Sequence, residues 1–384
     1  MIEALTAHTF EIDDSAAAVA EILAQIDLEK LKSNSLGILT CSTDFLETGT
    51  AAAVSEAMPF NVIGCTTAAG ATTGELGELI LNLMVLTSDD VVFSAGVTES
   101  LAEEQEAPIK AAYRKAGEGR SEKPALILAF APFINTVGGE RIVECLNQAC
   151  GGLPVFGTLA IDTSPDFSLS ETFFNGRNSR TALSFALLYG DIHPSFYLAA
   201  IPEEKIQKHR GVITKSSGNI LKEVNKMPLL KYFRTLGLYS ENGSWETLSF
   251  PFVVDYNDGT KPVVRSIFTI DENGYAACGG FVPENATIAL GSLEHDDVLH
   301  TAGEILSKTR EKKDGACLLM FACITRYLVL GADTTAEMEK VREITGGGRE
   351  YQFCYSGGEI CPVYTGTGST VNRFHNCTFI ACII

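Results

Sequence analysis

The chain has 384 residues, 46% of them hydrophobic, so it is long enough to bury a large core and to divide into about two or three domains. Its 48 acidic and 29 basic residues give a net charge of −19 at pH 7, which argues against binding to nucleic acid or to anionic lipid. No apolar run approaches the roughly 18 to 20 residues of a membrane-spanning helix, so we expect no membrane insertion.

The amino terminus and the cysteines together predict a cytoplasmic protein. Residues 1–6 lack both the basic leader and the apolar core of a signal peptide. Most of the eleven cysteines lie in apolar, strand-like runs, where a free cysteine behaves as a small buried hydrophobe. No two are spaced as in the Cys-x-x-Cys motif of zinc ribbons and thioredoxin-type enzymes. We therefore expect reduced cysteines, and neither a metal nor a cofactor.

The first predicted helices lie in the amino-terminal third of the chain. One should run from Ser15 to Gln25, with Asp13, Asp14 or Ser15 as its N-cap. Another should begin in the acidic run 99–106 and end near Gly117. A polar loop, 118–124, then precedes the next apolar strand.

Three segments of the chain repeat one order of elements. Each has an apolar strand, a helix, a second strand that ends in a turn of small residues, and a further strand. The first strands are 36–41, 125–130 and 316–321; the second strands are 61–67, 153–158 and 351–359; the further strands are 79–86, 180–188 and 377–384. Alternation of strands and helices predicts α/β units with partly parallel pairing, and continuous apolar strands predict sheets covered on both faces.

The composition changes between residues 200 and 225, where we place the main domain boundary. Beyond it we expect a helix from Met227 toward Leu236, and a hairpin of strands 263–270 and 275–278. Pro362 should end the strand that follows the third unit's turn. The predicted fold class is α/β: two domains, 1–210 and 211–384, of mixed, partly parallel sheets covered by helices and built from repeated strand-helix-strand units.

Short motifs in both halves of the chain resemble the FIST family, whose N-terminal and C-terminal sensory domains occur together. Val62–Gly70 is similar to the family's Gly-Cys-Ser-Thr turn, although Ala71 stands where the family often has an acid. Three motifs farther along, Phe321–Arg326, Tyr355–Ile360 and His375–Thr378, are similar to motifs of its C-terminal domain. The resemblance implies a FIST N-like domain at 1–210 and a FIST C-like domain at 211–384. It also implies a cytoplasmic sensor of a small ligand such as an amino acid, which signals through a separate protein partner.

The candidate ligand-binding residues follow strand ends, where ligands gather in open α/β sheets. Arg326 could grip a ligand's carboxylate, Glu359 could accept its ammonium group, and Asn376 could add an amide contact. The full predicted set is Cys65, Thr66, Cys323, Arg326, Tyr355, Gly358, Glu359 and Asn376.

Each of these residues also has a structural alternative. Arg326 and Glu359 could pair with each other, Glu359 could cap its own turn, and Asn376 could close a turn against the backbone. Cys65 could simply pack in the core, although its turn and the C-terminal turn could instead face one cleft.

Two other classes of protein compete with the sensor. A cysteine-dependent enzyme would pair Cys323 with His375, or Cys65 with a distant base, to form a reactive thiolate. An interaction protein with no ligand pocket is the third class. The spacing of Cys354, Cys361, His375 and Cys377 does not match a zinc module. The glycine-rich runs 346–349 and 366–370 lack the spacing and lysine of a phosphate-binding loop, so we interpret them as loop tips.

Overall fold

The computed structural model of the chain describes residues 1–238, 249–312, 314–365 and 370–384. The first unit, residues 3–88, is a helix-covered mixed sheet. Its elements are β1 (Glu3–Thr9), α1 (Ser15–Gln25), β2 (Asn34–Cys41), α2 (Asp44–Glu47), α3 (Thr50–Glu56), β3 (Asn61–Thr66), β4 (Gly70–Thr72), β5 (Leu76–Gly77) and β6 (Leu81–Ser88). β2 and β3 pair in parallel, and β6 runs antiparallel to β2. Helix α1 has the predicted bounds because the Asp14 carboxylate accepts the N–H groups of Ala16 and Ala17.

The second unit, residues 92–189, repeats this arrangement. Its elements are β7 (Val92–Val97), α4 (Glu106–Ala116), β8 (Leu126–Ala131), α5 (Gly139–Cys150), β9 (Val155–Leu159), β10 (Thr172–Phe174), β11 (Arg177–Ser179) and β12 (Ser184–Tyr189). β8 and β9 are parallel, and β12 is antiparallel to β8.

Helix α4 begins at Glu106, the last residue of the acidic run 99–106, and ends at Ala116, beside the predicted end near Gly117. The N–H of Leu101 donates to the carbonyl of Thr181 at 2.8 Å, which holds the run against the second unit instead of in a helix. The Glu104 carboxylate then accepts the N–H groups of Glu106 and Ala107, as an N-cap residue does.

An inserted lobe, residues 206–291, separates the second and third units in the sequence. The elements after the second unit are β13 (Ser195–Ala199), β14 (Gly211–Ser217), β15 (Ile220–Val224), β16 (Met227–Pro228), α6 (Leu229–Thr235), β17 (Phe252–Asp255), β18 (Val263–Arg265), β19 (Ile267–Ile270), β20 (Ala276–Cys278) and β21 (Thr287–Leu290). The predicted hairpin is present as β19 and β20. The predicted strand 263–270, however, divides at Ser266, because β18 pairs with β17 and β19 pairs with β20.

The third unit, residues 295–384, completes the molecule. Its elements are α7 (His295–Glu311), β22 (Cys317–Cys323), α8 (Ile324–Leu330), α9 (Ala336–Thr345), β23 (Glu350–Ser356), β24 (Glu359–Tyr364), β25 (Thr370–His375) and β26 (Phe379–Ile383). β22 and β23 are parallel, and β26 lies antiparallel between β22 and β13.

Two predictions near the carboxyl terminus are wrong. Pro362 lies within β24 and does not end it, because beyond Ile360 this strand pairs with β25 alone and no second ladder requires the missing N–H. The last strand, predicted to begin at Cys377, starts at Phe379, and the residues 370–375 before it form strand β25. Between them lies a tight turn in which Cys377 has a φ of 57°.

One strand of each unit pairs with a strand of another unit. β4 of the first unit pairs with β23 of the third, β10 of the second with β3 of the first, and β24 of the third with β9 of the second. Each of these pairings is antiparallel, and the first residue of the exchanged strand lies opposite a residue near the end of its partner strand: Gly70 pairs with Cys354, Thr172 with Cys65, and Glu359 with Thr158. This cyclic exchange brings the carboxyl ends of the three parallel pairs together at one end of the molecule.

The centre between the units is filled with apolar side chains. The ring of Phe321 lies 5.9 Å from that of Phe130 and 5.3 Å from that of Phe156, measured between ring centroids. Buried residues from all three units belong to this core. Polar groups therefore collect at the strand ends and where the inserted lobe meets the third unit, and not at the centre.

Candidate functional site

All eight residues that were predicted from the sequence to contact a ligand are buried. Arg326, Glu359 and Tyr355 have no exposed surface, and the most exposed of the set with a side chain, Cys323, reaches 2%. Gly358 is buried as well. The structure separates them into three places: the turns around Thr66 and Tyr355, a cluster around Glu359, and the surroundings of Arg326.

The turns after β3, β9 and β23 contact one another. The Thr67 hydroxyl donates to the carbonyl of Tyr355 at 2.7 Å. The N–H of Ile161 donates to the carbonyl of Thr66 at 3.2 Å, and the N–H of Gly357 donates to that of Leu159 at 3.0 Å. The structure thus brings the N-terminal and C-terminal turns side by side. Cys65 faces the central core, where burial raises the pKa of its thiol well above the usual range.

Glu359 is the first residue of β24 and is held by two hydroxyl groups. Ser356 Oγ donates to Glu359 Oε1 at 2.7 Å, and Thr378 Oγ1 donates to Oε2. Burial raises the pKa of Glu359 from 4.5 to about 8, although these hydrogen bonds and the charge of Arg326 oppose the effect. The carboxyl group is therefore mostly neutral at pH 7.

A row of thiols and hydroxyls lies beside Glu359. Cys323 Sγ is 3.5 Å from Thr325 Oγ1, which is 3.0 Å from Ser266 Oγ. Ser266 Oγ in turn is 3.1 Å from Cys377 Sγ. Because Ser266 lies between β18 and β19, this row connects the inserted lobe with the third unit.

His375 and Asn376 carry buried polar atoms without partners. His375 Nε2 and Asn376 Oδ1 make no hydrogen bond with any residue that the structure describes. Burial lowers the pKa of His375 to about 3, and the charges of Arg265 and Arg373 add to the effect, so the imidazole is neutral. A Cβ atom on Gly279 would lie 2.6 Å from Asn376 Oδ1, so the lobe approaches this amide as closely as glycine permits.

We call these residues the junction cluster, since they lie where the inserted lobe meets the third unit: Ser266, Cys323, Thr325, Ser356, Glu359, His375, Asn376, Cys377 and Thr378. Its members come from the break between β18 and β19, the ends of β22, β23 and β25, the starts of α8 and β24, and the turn before β26. The sequence does not indicate that Ser266 belongs to this cluster, because Ser266 lies far from the other members along the chain and within an apolar run.

Arg326 does not form an ion pair with Glu359, which the sequence analysis gave as its alternative partner. Its Nε and Nη2 atoms donate to Glu337 Oε1 at 3.0 and 2.5 Å. Further bonds go to Thr301 Oγ1 at 3.1 Å and to the carbonyl of Val298 at 2.7 Å. The guanidinium therefore joins α8 to α7 and α9, and both members of the ion pair have no exposed surface.

A second buried ion pair, between Glu140 and Arg265, escaped the sequence prediction. Arg265 has no exposed surface and lies at the end of β18, against Glu140 in the first turn of α5. A lone arginine in the apolar run 263–267 is the signal that could have marked it, because a buried arginine requires a partner.

The cysteines have the properties of core residues. All eleven are reduced and buried. Burial raises the pKa of Cys323 well above the usual range and that of Cys377 to about 11, so neither thiol ionises at neutral pH. Over the described residues, no group of three or more histidine, cysteine, aspartate and glutamate side chains is arranged to hold a metal ion.

The fold and these contacts define a three-unit α/β protein with a buried polar cluster beside an inserted lobe. The FIST N domain matches residues 35–227 and the FIST C domain matches residues 229–362, so the chain belongs to the FIST family. FIST domains are associated with sensing and signal transduction.

Similarity to individual proteins is weaker. A crystal structure of cyanuric acid hydrolase from A. caulinodans aligns with 100% of this chain and 99% of its own, at 11% identity and a TM-score of 0.34. No curated relative matches significantly. In the part of the chain that the structure describes, no helix has both the length and the apolar character needed to cross a membrane.

Proposed function

We propose that the chain is a cytoplasmic sensor that binds a small polar metabolite, an amino acid or a related compound, at the junction cluster. It would pass the signal to a separate protein partner. Membership of the FIST family supports the class of function. The net charge of −19 makes a nucleic acid an unfavourable partner.

The proposal rests on two buried polar atoms, His375 Nε2 and Asn376 Oδ1, that lack hydrogen-bond partners among the described residues. Leaving a buried donor or acceptor unpaired costs about 1–3 kcal/mol. Two such atoms on adjacent residues, at the boundary between two parts of the molecule, favour a site where a ligand supplies the missing hydrogen bonds.

The eight residues predicted from the sequence have different roles in this proposal. Asn376 Oδ1 accepts an N–H group of the ligand, and Glu359 donates its O–H while it is protonated. The small and apolar surfaces of Cys323, Tyr355 and Gly358 shape the walls. Arg326 would reach an anionic group of the ligand only by exchanging Glu337 for it. Cys65 and Thr66 support the neighbouring turn.

The ligand would enter when the inserted lobe separates from the third unit. Ser266 and Gly279 of the lobe close over the cluster, so movement of the lobe exposes Asn376 and Glu359 together. A ligand that binds only this open arrangement shifts the population toward it, which gives a partner a changed surface to recognise.

The test is a thermal-shift screen of amino acids, amides and small carboxylates, followed by calorimetry of each hit. A ligand at about 100 times its dissociation constant should stabilise the protein by roughly 2.7 kcal/mol. Asn376→Ala should weaken binding at least about tenfold, the effect of roughly 1.4 kcal/mol from one lost buried hydrogen bond.

Asn273→Ala is the matched control, because Asn273 is an exposed asparagine in a turn of the inserted lobe, and its side chain contacts only its own turn. It should leave the affinity unchanged. Binding that survives Asn376→Ala within about twofold, in a variant with unchanged circular dichroism, would place the ligand elsewhere.

A further inference from the structure

A cleft of about 430 Å³ lies at the opposite edge of the third unit from the junction cluster. It opens between the carboxyl-terminal ends of α7 and α9, beside the start of β22. The junction cluster lies at the other end of β22, a strand of seven residues, which places the two sites about 20 Å apart. The cleft is therefore a separate site.

Among the residues that the structure describes, three cations line this cleft, in a chain that has many more acids than bases. They are Arg310, Lys312 and Arg349. Arg349 is already engaged, because its guanidinium donates to the carbonyls of Thr309, at 3.5 Å, and of Lys312. Those carbonyls end α7, so Arg349 neutralises the negative end of that helix.

The other two cations are free to meet a ligand. The side chains of Arg310 and Lys312 make no hydrogen bond or ion pair with a residue in the described ranges. Two acids near the edge of the cleft are turned to other partners: Glu343 pairs with Lys340 at 3.6 Å, and Glu350 accepts the hydroxyl of Thr6. Asp314 lies between Lys312 and Gly315 in the sequence and is exposed to solvent. Glu311 is exposed and adjacent to Arg310 on the helix, where successive side chains point in different directions.

The glycine-rich run 346–348 forms the opposite wall. The N–H of Gly346 donates to Arg342 and that of Gly348 donates to Thr345, while the N–H of Gly347 has no backbone acceptor among the described residues. A Cβ atom on Gly347 would meet nothing within 4 Å, so a ligand can approach this part of the backbone. A backbone donor opposite two unpaired cations is suited to an oxyanion.

We propose that this cleft binds a compact, doubly charged oxyanion, with Arg310 and Lys312 on one side and the Gly347 N–H on the other. Phosphate groups and dicarboxylates share this chemistry. The two cations supply the charge, and the glycine wall admits the oxygens without steric interference from side chains.

The experiment is isothermal titration of the intact chain at low ionic strength, with inorganic phosphate in one arm and succinate in the other. We expect saturable binding in at least one arm, weakened by added salt. The arm that binds identifies the type of anion. The variant Arg310→Gln with Lys312→Gln should weaken it at least about tenfold, since it removes both charge-assisted contacts.

Lys308→Gln is the matched control, because Lys308 is an exposed lysine of α7 that does not line the cleft. It should bind within about twofold of the original chain. Equal weakening by Lys308→Gln would mean that only diffuse charge attracts the anion, and it would overturn the proposal. Absence of saturable binding by both phosphate and succinate would overturn it too.

Discussion

Arg265 of the inserted lobe and Glu140 of the second unit form a buried ion pair, in which the arginine has no exposed surface and the glutamate side chain is 10% exposed. Arg265 also donates to the carbonyl of Phe374, at 3.1 Å, and to the hydroxyl of Tyr256, at 2.6 Å. Since Phe374 lies on β25, this one guanidinium connects the lobe with both the second and the third unit. Burial raises the pKa of Glu140, and the positive charge of Arg265 opposes that shift.

Replacement of Arg265 should therefore weaken the whole molecule. Arg265→Met leaves the Glu140 carboxyl buried without its partner, which costs about 3–5 kcal/mol in comparable ion pairs. The measurement is the free energy of unfolding in urea. Adding Glu140→Gln should recover part of the loss, because it removes the unpaired charge. Arg177→Met, at an exposed arginine, is the control, and a loss no larger than that of this control would contradict the prediction.

Arg326 allows a test of structural pairing against ligand binding. Arg326→Met should also lower the free energy of unfolding by about 3–5 kcal/mol, because it leaves Glu337 buried and alone. The double variant with Glu337→Met should lose much less than this. If Arg326 served only to hold a ligand, the single variant would unfold at the same urea concentration as the original chain.

Glu359 should make stability depend on pH. Its pKa is about 8 in the folded chain and near 4.5 when exposed, so the folded state binds the proton more tightly. The resulting stabilisation is complete below about pH 4.5 and is lost as pH rises toward 8. Glu359→Gln keeps the shape of the side chain and cannot ionise, so it should remove this decline.

The pH experiment compares urea unfolding of Glu359→Gln and of the original chain between about pH 5 and 8.5. The difference in unfolding free energy between the two should change steadily over this range in favour of the variant. Glu272→Gln, at an exposed glutamate, should leave the profile parallel to that of the original chain. Parallel profiles for Glu359→Gln as well would show that Glu359 has an ordinary pKa.

The cysteines should react slowly with iodoacetamide. Every cysteine is buried, and the thiolate is the reactive form, which burial disfavours at Cys65, Cys323 and Cys377. Mass spectrometry should show little labelling of the folded chain at neutral pH and eleven labels after unfolding in urea. Fast, selective labelling of Cys323 in the folded chain would favour the cysteine-dependent enzyme over the sensor.

The sequence predicted the strands of the three units well, because each is an apolar run long enough to be covered on both faces. It did not predict which unit each short strand would join, since β4, β10 and β24 pair with residues of other units. Local signals also did not show that most of the acidic run 99–106 would precede α4, where Leu101 donates to the carbonyl of Thr181.

The site was harder to predict than the fold, because its contacts join distant parts of the chain. Arg326 and Glu359 both stood out as charged residues after apolar strands, yet Glu337 is the partner of Arg326. Glu337 lies in an amphipathic helix whose other acids face solvent, and nothing local distinguishes it from them. Ser266 enters the cluster, and Gly279 packs against Asn376, only because the lobe folds back onto the third unit.

Gly139 and Gly138 offer a test of how tightly α5 packs against β25. A Cβ atom on Gly139 would lie 2.5 Å from the ring of Phe374, whereas one on Gly138 would lie no closer than 3.7 Å to Phe281. Gly139→Ala should therefore cost about 1–3 kcal/mol by overpacking. Gly138→Ala should cost less than about 1 kcal/mol, chiefly because alanine is a poor N-cap residue.

The Phe374 ring identifies the source of this cost. The double variant Gly139→Ala with Phe374→Leu should lose less unfolding free energy than the two single variants lose together, because the smaller leucine side chain leaves room for the added methyl group. Urea unfolding of the three variants measures this coupling. Additive losses would mean that α5 moves away from β25 to accept the methyl group.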